Sequence, residues 1–155
     1  MGSIGAARAT GNSTGLGEKR PLTSADDYTN YSEYAGELAG VQFDFGTPVY
    51  QIEYNGGKAF ADTSTTDYQG ELHISMLAST GQGAGTEMLA RLAEQAYKQN
   101  LVLSWVADQP SAKDYYKKMG VEQFGTVSSP SFATLYEIPR DQLQAFATHL
   151  RSRRR

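Results

Sequence analysis

Polar and apolar side chains alternate along residues 71–76, and the polar ones include groups that can move a proton. The polar side chains are those of Glu71, His73 and Ser75, and the apolar ones are those of Leu72, Ile74 and Met76. This period predicts a strand with one polar and one apolar face. Glu71 or His73 could serve there as a general base, although polar residues on an exposed sheet face give the same pattern.

A loop of small residues, Ser79 to Gly85, follows this strand and contains three glycines. Residues 86–100 then carry apolar side chains at helical spacing, at Met88, Leu89, Leu92, Ala93, Ala96 and Tyr97. Glycine lets the backbone approach a ligand, and the first N–H groups of a helix have no partners within it, so this junction could bind pyrophosphate. A loop that merely turns explains the glycines equally well, and neither the nucleoside-triphosphate motif nor G-x-G-x-x-G is present.

A second motif, at residues 109–121, reads Gln-Pro-Ser-Ala-Lys-Asp-Tyr-Tyr-Lys-Lys-Met-Gly-Val. It resembles the segment Asn-x-x-Ala-x-x-Phe-Tyr-Glu-Lys-x-Gly-Phe that is common in the GNAT family of N-acetyltransferases. The upstream loop, residues 80–85, resembles that family's coenzyme A motif, Arg/Gln-x-x-Gly-x-Gly/Ala, with Thr80 in place of Arg or Gln. Because both motifs occur in the family's order, the chain resembles a compact and divergent GNAT domain, of a kind that phage genomes also encode.

The resemblance implies an acyl-CoA N-acyltransferase fold in which a central strand and the next, apolar strand separate at one end. The pantetheine arm of acetyl-CoA would lie in this V-shaped gap like an added strand, bonded to Met76 and Leu77. The residues that would hold the pyrophosphate of coenzyme A are Gln82, Gly83, Ala84, Gly85 and Thr86. Tyr116 would protonate the departing thiolate, with a packing role as the alternative, whereas Tyr115 takes the position of a core residue.

Acetyl transfer to an amine makes two further demands on the site. An alkylammonium group has a pKa of about 10.4, so a base must remove its proton, and Glu71 or His73 could do so directly or through water. The tetrahedral intermediate needs a donor for its oxyanion, most simply a backbone N–H near Met76 or Leu77. No metal is expected in this chemistry.

The remaining patterns predict one mixed α/β domain. Residues 49–54 and 58–62 flank Asn55-Gly56-Gly57, which is a strong hairpin signal. The apolar run 101–107 predicts a strand covered on both faces, parallel to the strand at 71–76 because a helix connects the two. A helix is predicted at 112–119, an antiparallel pair at 124–127 and 132–138, and a last helix from residue 139. We expect a mixed, mostly antiparallel sheet with helices on both faces, whose central parallel pair splays in a V by the resemblance.

The composition is that of a water-soluble domain. The chain has 155 residues, a net charge of -3 and 39% hydrophobic residues. No apolar run approaches the roughly 20 residues of a membrane span, so we expect no membrane contact and a cytoplasmic location. The sequence contains no cysteine, which excludes disulfides, thiolate catalysis and cysteine-type zinc sites.

We divide the chain into an arm at 1–32, a domain at 33–150 and a basic tail at 151–155. The arm has almost no large apolar residues, which predicts a flexible segment whose removal leaves the melting temperature nearly unchanged. The arginines of the tail are interpreted as solvated, with contact to phosphate or an acidic partner as the alternative. Six acids and no Lys or Arg between residues 21 and 57 could attract an amine or form a solvated face.

Three functions remain open. The first is an acetyl-CoA-dependent N-acetyltransferase acting on an amine of a small molecule or peptide. The second is a catalytically degenerate domain that acts as a structural or assembly component, for example of a phage particle, with a protein partner ordering residues 1–32. The third is a phosphate- or nucleic-acid-binding module, which is disfavoured because the chain is acidic and its basic residues form no evident stripe.

Overall fold

The computed structural model describes residues 14–21, 48–63, 68–80, 83–129 and 133–153. Over these ranges the protein is a mixed α+β fold with two sheets and three α-helices. The strands are β1 (Tyr50–Tyr54), β2 (Gly57–Asp62), β3 (Glu71–Ile74), β4 (Met76–Thr80), β5 (Val102–Ala107), β6 (Thr126–Ser128) and β7 (Thr134–Ile138). The helices are α1 (Ala84–Lys98), α2 (Pro110–Lys118) and α3 (Leu143–Arg153), with 3₁₀ turns at Val121–Gln123 and Arg140–Gln142.

The hairpin of β1 and β2 closes through a two-residue turn. Asn55 and Gly56 have φ angles of 52° and 80°, and both residue types tolerate positive φ, which a hairpin turn of this length requires. The strands pair antiparallel from Tyr50↔Ala61 to Tyr54↔Gly57. The hairpin prediction is therefore confirmed, with one residue fewer in the turn than the sequence indicated.

The consecutive strands β3 and β4 belong to two different sheets. The first sheet has the order β1-β2-β4 and is antiparallel, and the second has the order β3-β5-β7-β6. In the second sheet β3 and β5 are parallel, as the intervening helix α1 predicts, and the other pairs are antiparallel. One parallel pair among otherwise antiparallel pairs is thus confirmed for the described strands, but these strands form two sheets rather than the single mixed sheet predicted, because pairing passes from one sheet to the other at Ser75.

The core lies on one face of these sheets. Alternate strand residues such as Ile52, Leu72 and Leu103 belong to one hydrophobic cluster with buried side chains of α1, α2 and α3. Side chains of the opposite face, including Phe60 and Ser104, are buried as well. In the part of the chain that the structure describes, all three helices contribute to this one hydrophobic cluster and so pack on the same face. The expectation of helices on both faces of the sheet therefore remains a prediction.

Residues 14–21 pack against the domain, which differs from the expectation of a flexible arm. Leu16 is only 5% exposed and belongs to the core cluster. The carbonyl oxygen of Gly15 accepts a hydrogen bond from Arg91 of α1 at 2.7 Å. Arg20 and Val49 exchange two backbone hydrogen bonds of 2.8 and 2.9 Å. The composition was misleading here because one leucine with backbone pairing suffices to attach a short segment; the boundary at residue 32 lies outside the described residues.

The C-terminal arginines also differ from a solvated tail. Helix α3 continues to Arg153, and the guanidinium of Arg151 contacts Glu94 at 2.6 Å and Glu87 at 3.3 Å, both on α1. Arg153 donates a hydrogen bond to the carbonyl oxygen of Lys118. Arg151 thus ties α3 to α1, and the helix extends through part of the predicted tail. Residues 154 and 155 lie outside the described residues.

Candidate functional site

A β-bulge at Ser75 separates β3 from β4. Asp62 pairs with Met76 in the register of the first sheet, yet its carbonyl oxygen also accepts a hydrogen bond from the N–H of Ser75 at 2.8 Å. The hydroxyl of Ser75 donates to the same carbonyl at 3.0 Å. Two residues therefore oppose one, which bends the strand and shifts its alternation. Leu77, rather than Met76, packs against the core, so the predicted alternation is wrong for Met76.

The pairing of neighbouring strands changes at the bulge, and the region between β4 and the end of β5, where no pairing occurs among the described residues, is called the gap below. β3 pairs with β5 only as far as Ile74↔Trp105, after which β4 pairs with β2 alone. β4 is the edge strand of its sheet, and Val106 and Ala107 pair only with β7. Among the described residues, no strand lies between β4 and the end of β5. Backbone groups along this edge are available to an extended ligand.

Helix α1 begins directly beyond this edge with an uncapped N-terminus. β4 continues to Thr80, so the connection to α1 is shorter than the predicted loop. Gly83 precedes the helix with φ 91°, a conformation that favours glycine, and no side chain of the described residues caps the first turn. The first helical N–H groups, beginning with that of Ala84, therefore remain able to bind an anion. Gln82 lies outside the described residues.

Packing against Ser79 of β4 favours glycine at position 85. A Cβ atom at this position would lie 2.8 Å from Oγ of Ser79 and 3.3 Å from its Cβ. The close approach of α1 to β4 thus depends on the absence of a side chain at Gly85. This contact offers a structural reason for one of the three glycines of the loop.

Tyr115 and Thr86 connect α2 to the first turn of α1. Their hydroxyl groups form a short hydrogen bond. Tyr115 is 36% exposed, so it is not the core residue that the sequence comparison implied. Burial raises the pKa of its phenol, and the hydrogen bond with Thr86 opposes this rise. Sequence reasoning missed Tyr115 because only the packing of α2 on α1 brings the two hydroxyls together.

Tyr116 occupies an aromatic cluster on the core face. Its ring centroid lies 5.3 Å from that of Trp105 and 5.0 Å from that of Tyr136. The residue is 8% exposed. Burial, reinforced by the neighbouring phenols of Tyr115 and Tyr136, raises the pKa of Tyr116 far above its ordinary value. The phenol therefore keeps its proton at neutral pH and is a weaker acid than a free tyrosine.

His73 and Glu71 lie on the opposite sheet face from Tyr116. The register pairs His73 with Ser104 and Ile74 with Trp105, and successive strand residues point to opposite faces. Nδ1 of His73 is 2.8 Å from Oγ of Ser104, and the Tyr68 ring stacks on the imidazole at 3.8 Å between centroids. The structure thus does not place the three predicted catalytic residues on one face.

The electrostatics of His73 favour the neutral imidazole. Burial lowers its pKa below 6.5, and the negative charge of Glu71 opposes this shift. When Nδ1–H donates to Ser104, Nε2 carries the lone pair and can accept a proton. Ser104 is fully buried, which excludes it as a nucleophile towards a substrate. Its isolated position in the apolar run 101–107 was the one sequence signal for this pair.

No other class of site is evident in the described ranges. They contain no group of three or more His, Cys, Asp or Glu residues able to hold a metal ion. None of their helices is both long enough and apolar enough to cross a membrane. Comparisons with protein-family models, curated proteins and solved structures find no match for this chain.

Proposed function

We propose that the protein is an acetyl-CoA-dependent N-acetyltransferase that acts on an amine of a small molecule or peptide. The observation that supports this most is the bulge at Ser75, which frees one edge of β4 beside the end of β5. That edge leads to the uncapped N-terminus of α1. An extended chain with a phosphate group at one end fits this combination of features, as the resemblance to the GNAT family implies.

The site's residues fit coenzyme A in two parts. Met76 and Leu77 would bond the amides of the pantetheine arm through their backbone, in the manner of an added strand. Gly83, Ala84, Gly85 and Thr86, with Gln82, would hold the pyrophosphate at the start of α1, where free N–H groups and the helix dipole favour negative charge.

Acetyl-CoA would supply an acyl thioester that an uncharged amine can attack. His73 or Glu71 would take the proton of the amine, directly or through a water in the gap. The gap is the place for this step because His73 and Glu71 lie on the opposite sheet face from Tyr116, and the two faces connect only where the pairing of β3 with β5 ends. A backbone N–H at Met76 or Leu77 would stabilise the oxyanion. Tyr116 would donate its proton to the sulfur as the carbon–sulfur bond breaks.

The burial of Tyr116 favours a second candidate, a domain that has lost catalysis and serves as a structural or assembly component. Its ring packs against Trp105 and Tyr136, which is also what a purely structural tyrosine would do. The packed segment 14–21 would then be part of the surface presented to a protein partner. Retained binding of coenzyme A without turnover would favour this second function.

A pair of substitutions at Gly83 tests the proposed cofactor site. Asp and Asn have nearly the same shape and both tolerate positive φ better than other side chains, so Gly83→Asp and Gly83→Asn suffer similar backbone strain. Only the aspartate places a negative charge where the pyrophosphate would bind. At about 5 Å and an effective dielectric constant of about 20, each like-charge pair costs roughly 3 kcal/mol, or more than a hundredfold in affinity.

Isothermal titration calorimetry with acetyl-CoA measures this difference. We expect Gly83→Asn to bind much more tightly than Gly83→Asp, while the two melting temperatures agree, because Asp at a helix N-terminus does not destabilise the fold. Equal affinities of the two variants would refute the site. A parallel titration with a DNA duplex tests the nucleic-acid hypothesis. Binding heat from DNA but not from acetyl-CoA would refute our proposal in favour of nucleic-acid binding.

A further inference from the structure

A cavity of about 180 Å³ lies between α2 and the antiparallel pair β6–β7. Part of its lining is apolar, with Val121 buried and Val127 exposed. An engineered apolar cavity of about 150 Å³ binds benzene, so a cavity of this volume has room for a molecule of about six non-hydrogen atoms. The space therefore suits a small molecule.

Two tyrosines that line this cavity are more than nine-tenths buried. Tyr116 is 8% exposed and Tyr136 is 4% exposed, and their ring centroids are 5.0 Å apart. Neither hydroxyl makes a hydrogen bond within the part of the chain that the structure describes. Burial raises the pKa of both phenols, so both are hydrogen-bond donors at neutral pH. Because a buried polar group without a partner is unfavourable, the pair indicates that a bound molecule supplies an acceptor.

A pair of aliphatic hydroxyl groups also lines the cavity. Oγ of Ser129 and Oγ1 of Thr134 are 3.0 Å apart and hydrogen-bonded to each other. Whichever hydroxyl donates, both oxygens keep lone pairs that can accept a further hydrogen bond. Thr134 and Tyr136 are two residues apart on β7, so their side chains lie on the same face of the sheet. The same cavity therefore presents donors from the phenols and acceptors from these hydroxyls.

The charged side chains of the lining do not favour an ionic ligand. They are those of Lys113, Lys117 and Glu122. Lys113 already interacts with another group of the protein, and the opposite charges of Lys117 and Glu122 offset each other. A carboxylate or ammonium group would therefore lose hydration in the cavity without gaining an uncompensated counter-charge. These charges favour an uncharged ligand.

We propose that this cavity binds a small primary amide. A primary amide is an uncharged group that combines an acceptor oxygen with two N–H donors. Its oxygen would accept hydrogen bonds from Tyr116 and Tyr136, and its NH₂ group would donate to Ser129 or Thr134. The site is separate from the proposed cofactor site, because α2, β6 and β7 border it, whereas the gap adjoins β4. The amide site therefore goes beyond the proposed function and does not depend on it.

Three molecules of nearly the same shape test the amide site, with backbone amide chemical shifts as the readout. Isobutyramide carries an NH₂ group where isobutyrate carries a charged oxygen and methyl isopropyl ketone carries a methyl group. All three offer an acceptor oxygen, but only isobutyramide is both uncharged and able to donate. Isobutyramide should shift the amides of residues 121–129 and 134–136. It should bind at least about fivefold more tightly than the other two, as expected for one hydrogen bond.

A substitution at Tyr136 tests the same site from the side of the protein. Tyr136 is the residue to change, because Tyr116 also has a role in the proposed reaction. Tyr136→Phe should weaken isobutyramide binding about fivefold, because it removes one donor and leaves the ring in place. Tyr115→Phe is the matched control and should leave binding unchanged, because the Tyr115 hydroxyl bonds to Thr86 and the residue does not line the cavity.

Equal affinities of the three molecules would indicate unspecific apolar binding and would overturn the proposal. Tighter binding of isobutyrate, or shifts confined to other regions, would overturn it as well. Absence of isobutyramide binding, or equal weakening by the two tyrosine substitutions, would also refute the amide site. Because acetyl-CoA is absent from these titrations, none of these results bears on the transferase proposal.

Discussion

Replacing Leu16 with alanine should destabilise the whole domain, although composition alone places this residue in a flexible arm. The side chain is 5% exposed and lies within the core cluster. Hydrogen bonds hold its neighbours on α1: Thr14 bonds to Gln95 at 2.9 Å and Gly15 to Arg91 at 2.7 Å. These contacts keep the backbone from collapsing into the space that the shorter side chain leaves.

The expected loss follows from the burial of Leu16. Leu→Ala in a well-packed core costs about 2–5 kcal/mol, and a site near the end of a segment should fall in the lower half of that range. For a protein of this size each kcal/mol lowers the melting temperature by about 2–4 °C, so Leu16→Ala should lower it by about 5–10 °C.

Thermal unfolding followed by circular dichroism provides the assay for Leu16→Ala. Glu18→Ala is the matched control, because Glu18 lies in the same segment but is exposed, and it should change the melting temperature by no more than about 2 °C. Removal of residues 1–30 should be at least as costly as Leu16→Ala, which reverses the expectation from composition. If Leu16→Ala melts within about 2 °C of the wild type, residues 14–21 do not contribute to the core.

Two further predictions concern Tyr116 and Glu87. Tyr116→Phe should lower the rate of thiol release from acetyl-CoA by roughly 10²- to 10⁴-fold, as expected for a lost general acid, while Tyr115→Phe serves as the comparison; an unchanged rate would assign Tyr116 to packing. Burial raises the pKa of Glu87, but its hydrogen bonds to Arg91 and Arg151 outweigh this effect and hold the pKa below 4.5. The ion pairs of the Glu87 carboxylate therefore stabilise the fold above that pH, and this contribution is lost as the pH falls through the lowered pKa. Glu87→Gln should therefore reduce the free energy of unfolding at pH 7 by about 2 kcal/mol and lower the melting temperature accordingly. The difference from the wild type should vanish in acid. A difference that does not change with pH would show that the ion pairs are not responsible.

Local sequence patterns predicted most of the described secondary structure. Asn55-Gly56 specified a hairpin because both residues accept positive φ. The apolar run that became β5 and the helix before it specified a parallel pair, because a crossover of that length can return only to the same end of the sheet. Gly120, with φ 73°, ends α2 where the sequence indicated. Each of these features depends on neighbouring residues alone.

The site, by contrast, depended on tertiary structure. The alternation of residues 71–76 continues through Ser75 without a break, so the bulge is decided by Asp62 on the adjacent strand. Which tyrosine is buried followed from the orientation of α2, which places Tyr116 on Trp105 and brings Tyr115 to Thr86. Leu16 and Arg151 joined the folded domain because α1 offers them partners that are distant in sequence. Periodicity records which face a side chain takes within its own element, whereas the contact it makes across elements is settled only when those elements pack.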